Sequence, residues 1–332
     1  MGSTDIVASR LGYGAMELAG PPKARDLTED EAVSFIRRSK DRPFFVYLAH
    51  SMPHTRVAAS PTFAGKSAAG LFGDAVEELD AHFGRLWETL RAEGLDESTY
   101  IIFTSDNGPW YLDRHLAAPN DARTRGPQGQ LKYPFNQRDE RGAHFGSAGP
   151  LRGAKASSWE GGFRVPFIVR WPGHVKPGSV SAQLVQQSDL MATFAAVLGS
   201  KLPDHAGEDS VSLLPLLRGS DRPVREHAVS ASIQGTPAVR SGSWKYIPAP
   251  GSGGWGKGGD QAQPVQLYNL ADDLGETKNL AAALPEKVAE MKTLLEKLIT
   301  AGRSTPGAPQ QNDVEVKRYP VNSAATPKKK AK

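Results

Sequence analysis

The stretch Tyr100-Ile-Ile-Phe-Thr-Ser-Asp-Asn-Gly108 limits most tightly what this chain can become. Tyr100 to Thr104 is β-branched or aromatic throughout and lacks polar alternation, which predicts a short strand covered on both faces. It stops on an acid, an amide and a glycine. Ahead of it, Val76, Leu79, Phe83, Leu86, Trp87 and Leu90 recur at helical spacing, and Gly94 supplies a stop. Helix, loop and buried strand make half of a βαβ unit, and in such sheets ligands collect at the carboxyl ends of the strands. Asp106 and Asn107 stand at that edge with oxygen atoms of the kind hard divalent cations take. A plain turn is the competing reading, because Asn-Gly is a strong turn signal after any strand. Other stretches have to decide between the two.

Composition narrows the classes. A chain of 332 residues holds one large or two ordinary domains, and 39% hydrophobic with 23% charged residues is a globular balance. The apolar runs are too short to span a bilayer. Part of the formal charge of +4 sits in Lys328, Lys329, Lys330 and Lys332. Basic residues clustered with aromatics are not found, so no nucleic-acid partner is expected. With no cysteine, disulfides, zinc-cysteine sites and cysteine nucleophiles are excluded. The first residues lack the basic and apolar regions of a signal peptide.

Residues 1–26, rich in Gly, Ala and Pro, read as an irregular lead-in. Thr28-Glu-Asp-Glu31 is a capping-box pattern opening a helix that carries Val33, Phe35 and Ile36. Pro43-Phe-Phe-Val-Tyr-Leu-Ala49 predicts a second buried strand, ending in His50-Ser-Met-Pro-His54. Residues 109–149 form a long irregular stretch with six Lys or Arg against four Asp or Glu. It is either a disordered insertion or a substrate-facing loop. A third apolar strand follows at Val165 to Trp171, and Ser188 is expected to cap a helix closed by Gly199. Strand-like runs at 227–232, 238–247 and 265–270, then an amphipathic helix from Pro285 to Gly302, describe a small α+β unit. Gly251-Ser-Gly-Gly-Trp-Gly-Lys257 imitates a phosphate-binding loop, but Gly258 stands where Ser or Thr should hold magnesium. It reads as a hairpin connection. Residues 303–332 read as a tail.

Strand ends and their neighbours thus offer His54, Asp106, Asn107 and Lys155. A cation and a lysine would neutralise charge developing on the non-bridging oxygens of an anionic ester. A histidine could hold an ester oxygen or hand a proton to the leaving group. Taken singly, His54 is a surface turn histidine and Lys155 a solvated lysine. Pro53 counts against a zinc pair of His50 and His54, because it spoils a regular helix between them.

In order and context these segments resemble the sulfatase family, of arylsulfatase type within the alkaline-phosphatase-like superfamily. The resemblance covers about residues 27–300. It rests on Pro43 through His54, on Ile101 through Gly108, and on Gly149-Pro-Leu-Arg-Gly-Ala-Lys155 running on to Trp171-Pro-Gly173. Leu213-Leu-Pro-Leu-Leu-Arg-Gly219 and the segment from Leu267 to Leu280 add two later landmarks. The resemblance implies an α/β fold with an incomplete mixed or parallel sheet flanked by helices, followed by a small α+β C-terminal domain. The implied boundaries are 27–222 for the catalytic part, 223–302 for the small domain and 303–332 for a disordered tail. It further implies that Asp106 and Asn107 ligate Ca2+, that His54 contacts the sulfate ester, and that Lys155 binds sulfate oxygens. The implied partner is a sulfated small molecule or glycan.

One departure from the family is large. Sulfatases attack sulfur with a hydrated formylglycine made from a Cys or Ser in Cys/Ser-x-Pro-Ser-Arg, and this sequence has neither form. The family's paired N-terminal aspartates are also missing. The expectation is therefore a C-terminal portion carrying half an active site, which a complementing N-terminal fragment would complete, and whose residues 27–220 are poorly stable alone. A sulfuric ester hydrolase is the leading reading. A phosphate or phosphonate ester hydrolase of the same superfamily and a non-catalytic module binding sulfated glycans are the alternatives. Full-length relatives of this kind imply a periplasmic or extracellular location.

Overall fold

Apolar periodicity and glycine punctuation set most of the elements. The computed structural model describes residues 7–11, 29–54, 57–109, 148–254, 259 and 262–316. Contacts divide the chain into two units, Met1–Tyr100 with Tyr111–Gly146, and Ile101–Trp110 with Ser147–Lys332. Among the described residues no helix is long and apolar enough to cross a membrane.

The first unit contains β1 (Val7–Leu11), α1 (Glu29–Ser39), β2 (Phe44–Leu48) and α2 (Gly70–Ala92). β1 and β2 pair in parallel. Helix α1 buries Ala32, Val33, Phe35 and Ile36, and the Phe35 ring meets Phe44 edge-on. Thr28, expected to cap it, lies outside the described residues. Helix α2 starts six residues before its first predicted apolar position. Asp74 accounts for the early start, because its buried carboxylate accepts the backbone N–H groups of Gly65, Lys66 and Ser67. Gly94, with φ +68°, takes the left-handed conformation that ends the helix.

The second unit begins with β3 (Ile101–Thr104), α3 (Glu160–Phe163) and β4 (Phe167–Arg170). Helices α4 (Asp189–Val197) and α5 (Leu214–Leu217) follow. Then come β5 (His227–Ala231), β6 (Pro237–Ser241), β7 (Trp244–Ile247), β8 (Gln266–Asn269) and α6 (Pro285–Ala301). β3 and β4 pair antiparallel, and β5 to β8 form a four-stranded antiparallel meander. The α/β expectation holds, but among the described residues each sheet is purely parallel or purely antiparallel and none is mixed.

The meander carries the clearest core. Along each strand successive side chains face opposite ways. Val239, Tyr246 and Leu267 meet Met291, Leu295 and Ile299 of α6, whereas Ala238, Ile247 and Tyr268 meet Trp159 on the other face. Helix α6 ends at Gly302 with φ +62°, as its sequence predicts.

Four local expectations are corrected. The strands at 44–48 and 101–104 are packed on one face, not two: Phe45, Tyr47 and Phe103 are 44%, 56% and 39% exposed. Apolar character alone does not distinguish a covered face from an open one. The run 238–247 is two strands, broken by a hairpin at Gly242 with φ +56°. Ser188 does not cap α4 with its side chain; in the first turn Ser210 Oγ instead accepts the N–H of Ala192 at 2.8 Å. Residues 303–316, expected within the tail, fold back: Arg303 is nearly buried and its guanidinium donates to Asp204, Thr305 and Ala308. The remainder of that segment lies outside the described residues, as does the basic stretch 110–147.

Candidate functional site

Strand β3 ends at Thr104, which pairs with Phe167 at the start of β4. That register brings α3, three residues ahead of β4, to the turn that follows β3. There the Gly108 N–H donates to the Gly162 carbonyl at 3.0 Å. The approach is so close that a Cβ on Gly108 would lie 1.7 Å from the Gly161 carbonyl oxygen. A Cβ on Gly161 or Gly162 would likewise clash, lying 2.4 and 2.6 Å from the carbonyl oxygens of Gly153 and Ser157 respectively. Only glycine permits this backbone-on-backbone packing. Two more bonds close the frame: Lys155 N–H donates to Pro109 O at 2.8 Å, and Gly161 N–H to Arg152 O at 2.7 Å. The Asp106–Asn107 turn and the Lys155 segment are thereby tied together.

The turn has its own support. Ser105 Oγ donates to Asn107 O at 3.1 Å. Gln187, just before α4, donates through its side-chain amide to Thr104 Oγ1 at 3.1 Å and to Ser105 O. Asp106 is exposed, while Asn107 and Lys155 are half-buried. Of the four residues singled out by sequence, three share this frame. His54 belongs to the other unit, half-buried on the turn after β2, with its N–H donating to Ser51 O at 3.1 Å.

Beneath the frame lies a charge network that sequence reading missed. Lys245 Nζ, almost fully buried, sits 3.0 Å from Glu160 Oε1 and 2.9 Å from Glu276 Oε1. The second contact is an ion pair without a directed hydrogen bond, since Glu276 Oε1 makes none. Glu276 Oε2 accepts the Glu160 N–H at 2.7 Å. Burial pushes Glu160 up, but Lys245, with Arg240 and Arg164, holds it below the ordinary carboxylate value. For Glu276 burial wins, and its pKa is raised. Arg152 extends the network: its guanidinium stacks 3.9 Å from the Trp159 ring and donates to Tyr268 Oη at 3.0 Å and Glu276 O at 2.7 Å. Trp159 Nε1 in turn donates to Gln266 Oε1 at 2.9 Å. Residues 152, 160, 245 and 276 are too far apart in sequence for spacing to announce them.

The donor chemistry of Asp106 and Asn107 fits a hard divalent cation such as Ca2+. Such an ion takes about six to eight oxygens, so this pair alone would supply only part of a ligand set. Among the described residues no group of three or more His, Cys, Asp or Glu could hold a metal ion.

Comparison with known proteins bears directly on this geometry. Residues 22–200, more than half of the chain, match the sulfatase family model. An N-acetylgalactosamine-6-O-sulfatase of Bacteroides thetaiotaomicron is 38% identical over 280 residues, 83% of this chain and 51% of that protein. Human arylsulfatase A is 34% identical over 275 residues, 77% of this chain and 48% of that protein. A solved structure from work on glycosaminoglycan metabolism by Bacteroides thetaiotaomicron superposes with a TM-score of 0.65 at 34% identity. It covers 82% of this chain and 54% of that one. The chain spans about half the length of the curated relatives it matches.

Proposed function

The chain belongs to the sulfatase family, and on that premise we propose that it forms part of a sulfuric ester hydrolase. One observation carries the reading: the backbone frame that ties the Asp106–Asn107 turn to the Lys155 segment through Gly108, Pro109 and Gly162. Acid and amide oxygens on one side of such a frame and an ammonium on the other suit an ester with negatively charged non-bridging oxygens.

In this reading Asp106 and Asn107 hold part of the coordination of Ca2+. A bound cation there would draw charge off the ester's non-bridging oxygens. Lys155 would bind the negatively charged non-bridging oxygens of the sulfate group. His54 lies in the other unit and is assigned no step in this site. No residue of this chain fits a formylglycine precursor, so no step is assigned to one. The substrate class is a sulfated glycan, on the model of the N-acetylgalactosamine-6-O-sulfatase relative, and the location is periplasmic or extracellular.

The test is calorimetric binding of a 6-sulfated N-acetylgalactosamine saccharide to the full chain, with the unsulfated saccharide as control. The sulfated form should bind more tightly by about tenfold or more, equivalent to about 1.4 kcal/mol, and Lys155→Ala should remove that difference. Equal affinity for the two saccharides would overturn the reading.

A further inference from the structure

We propose that Glu276 is a positioning residue for the candidate site, holding through its carboxylate and its carbonyl Glu160 and Arg152, which adjoin the backbone segments that meet Gly108 and carry Lys155. The proposal deepens the reading above and rests on it for its functional consequence. Its structural part stands on geometry alone.

Glu276 is fully buried and has φ +51°, a left-handed conformation that costs a residue with a Cβ about 1 kcal/mol or more. A side chain kept in that conformation, in a site with no access to water, calls for an account. Its contacts supply one. The carboxylate accepts the N–H of Glu160 at 2.7 Å, at the first residue of α3. That helix is four residues long, too short to hold itself by its own ladder. The carbonyl of Glu276 accepts from Arg152 at 2.7 Å. From Glu160 the next two residues are Gly161 and Gly162, against which Gly108 is seated. The Arg152 carbonyl accepts the Gly161 N–H, and three residues on, Lys155 N–H is bonded to Pro109 O. Glu276 therefore grips both sides of the frame at once.

Lys245 explains how two buried carboxylates coexist there. It stands between them at 3.0 and 2.9 Å, facing the Trp159 side of the meander. The consequence is that the C-terminal sheet, which lends no candidate catalytic group, fixes the spacing of the groups that are.

The experiment is amide hydrogen exchange on the full chain, comparing wild type with Glu276→Gly and Glu276→Gln. Glu276→Gly relieves the left-handed strain and removes the carboxylate. The Gly108 and Lys155 amides should then exchange faster by roughly tenfold, the equivalent of about 1.4 kcal/mol. Amides of the β6–β7 ladder should stay protected. Glu276→Gln keeps an acceptor for the Glu160 N–H, so its effect on Gly108 and Lys155 should be smaller; it also decides the matter if the glycine variant does not fold. Equal acceleration at all amides in the folded variants would reduce Glu276 to a stabilising residue. Unchanged exchange at Gly108 and Lys155 would overturn the proposal, as would a wild-type Gly108 amide without protection. A parallel titration with the 6-sulfated N-acetylgalactosamine saccharide separates the two claims. Absent wild-type binding would overturn the functional reading, while the exchange rates would still decide positioning.

Discussion

The Gly108 amide donates to the Gly162 carbonyl at 3.0 Å, with no room between the two backbones for a methyl group. Because Gly108 directly follows Asp106 and Asn107, this contact fixes where those side chains start. Gly108→Ala should force the turn off α3. The expected cost is about 1–3 kcal/mol, typical of overpacking, read as a lower midpoint in urea unfolding. An unchanged midpoint would mean that the contact is not made in solution.

Lys245 lies between two buried carboxylates. Lys245→Met would leave Glu160 and Glu276 facing each other without their shared cation, and should cost about 3–5 kcal/mol. Surface lysines such as Lys292 should cost far less when replaced in the same way. Thermal unfolding of the two variants side by side checks the difference.

The two carboxylates give opposite pH dependences. Glu160 is held below its ordinary value of 4.5, so its contribution is present above that pH and is lost as pH falls through its folded pKa. Glu276 is raised above 4.5, so its contribution is present below that pH and is lost as pH rises toward its folded pKa. Glu276→Gln should therefore flatten the decline in stability on the alkaline side of 4.5 and leave the acid side nearly as it was. Denaturant midpoints measured across that range would test it; parallel curves for variant and wild type would contradict it.

Leu295 of α6 packs at 2% exposure against Val239, Tyr246 and Leu267. Leu295→Ala should cost about 2–5 kcal/mol, seen in the urea midpoint. An effect confined to a few tenths of a kcal/mol would mean that α6 does not seal the sheet.

Much of this was legible in the chain because it is written locally. The apolar spacing before Gly94, the run that stops at Asp106 and the helix between Pro285 and Gly302 each follow from neighbouring residues. Asp106 and Asn107 stand out as candidates because they follow the end of β3, and Lys155 because of the short segment that resembles the family's. What escaped was tertiary. Lys245 sits on a strand that reads simply as alternating, and nothing near it signals that it meets residues 160 and 276. Phe103 looks buried by composition, yet its exposure depends on which face is packed. Ser188 has the better capping side chain by propensity, but the side-chain acceptor for the first turn of α4 is Ser210, which takes the Ala192 N–H and is brought there by tertiary structure. The close seat of Gly108 needs Gly161 and Gly162, which sequence alone cannot bring to it.

The central claim is a hard-cation and sulfate site built on the β3 turn, and the most direct measurement is a calorimetric titration of Ca2+ into the full chain and into Asp106→Asn. Saturable binding in the wild type, weakened by about tenfold or more in the variant, is the predicted result. Identical isotherms, or no heat of binding in the wild type, would contradict it.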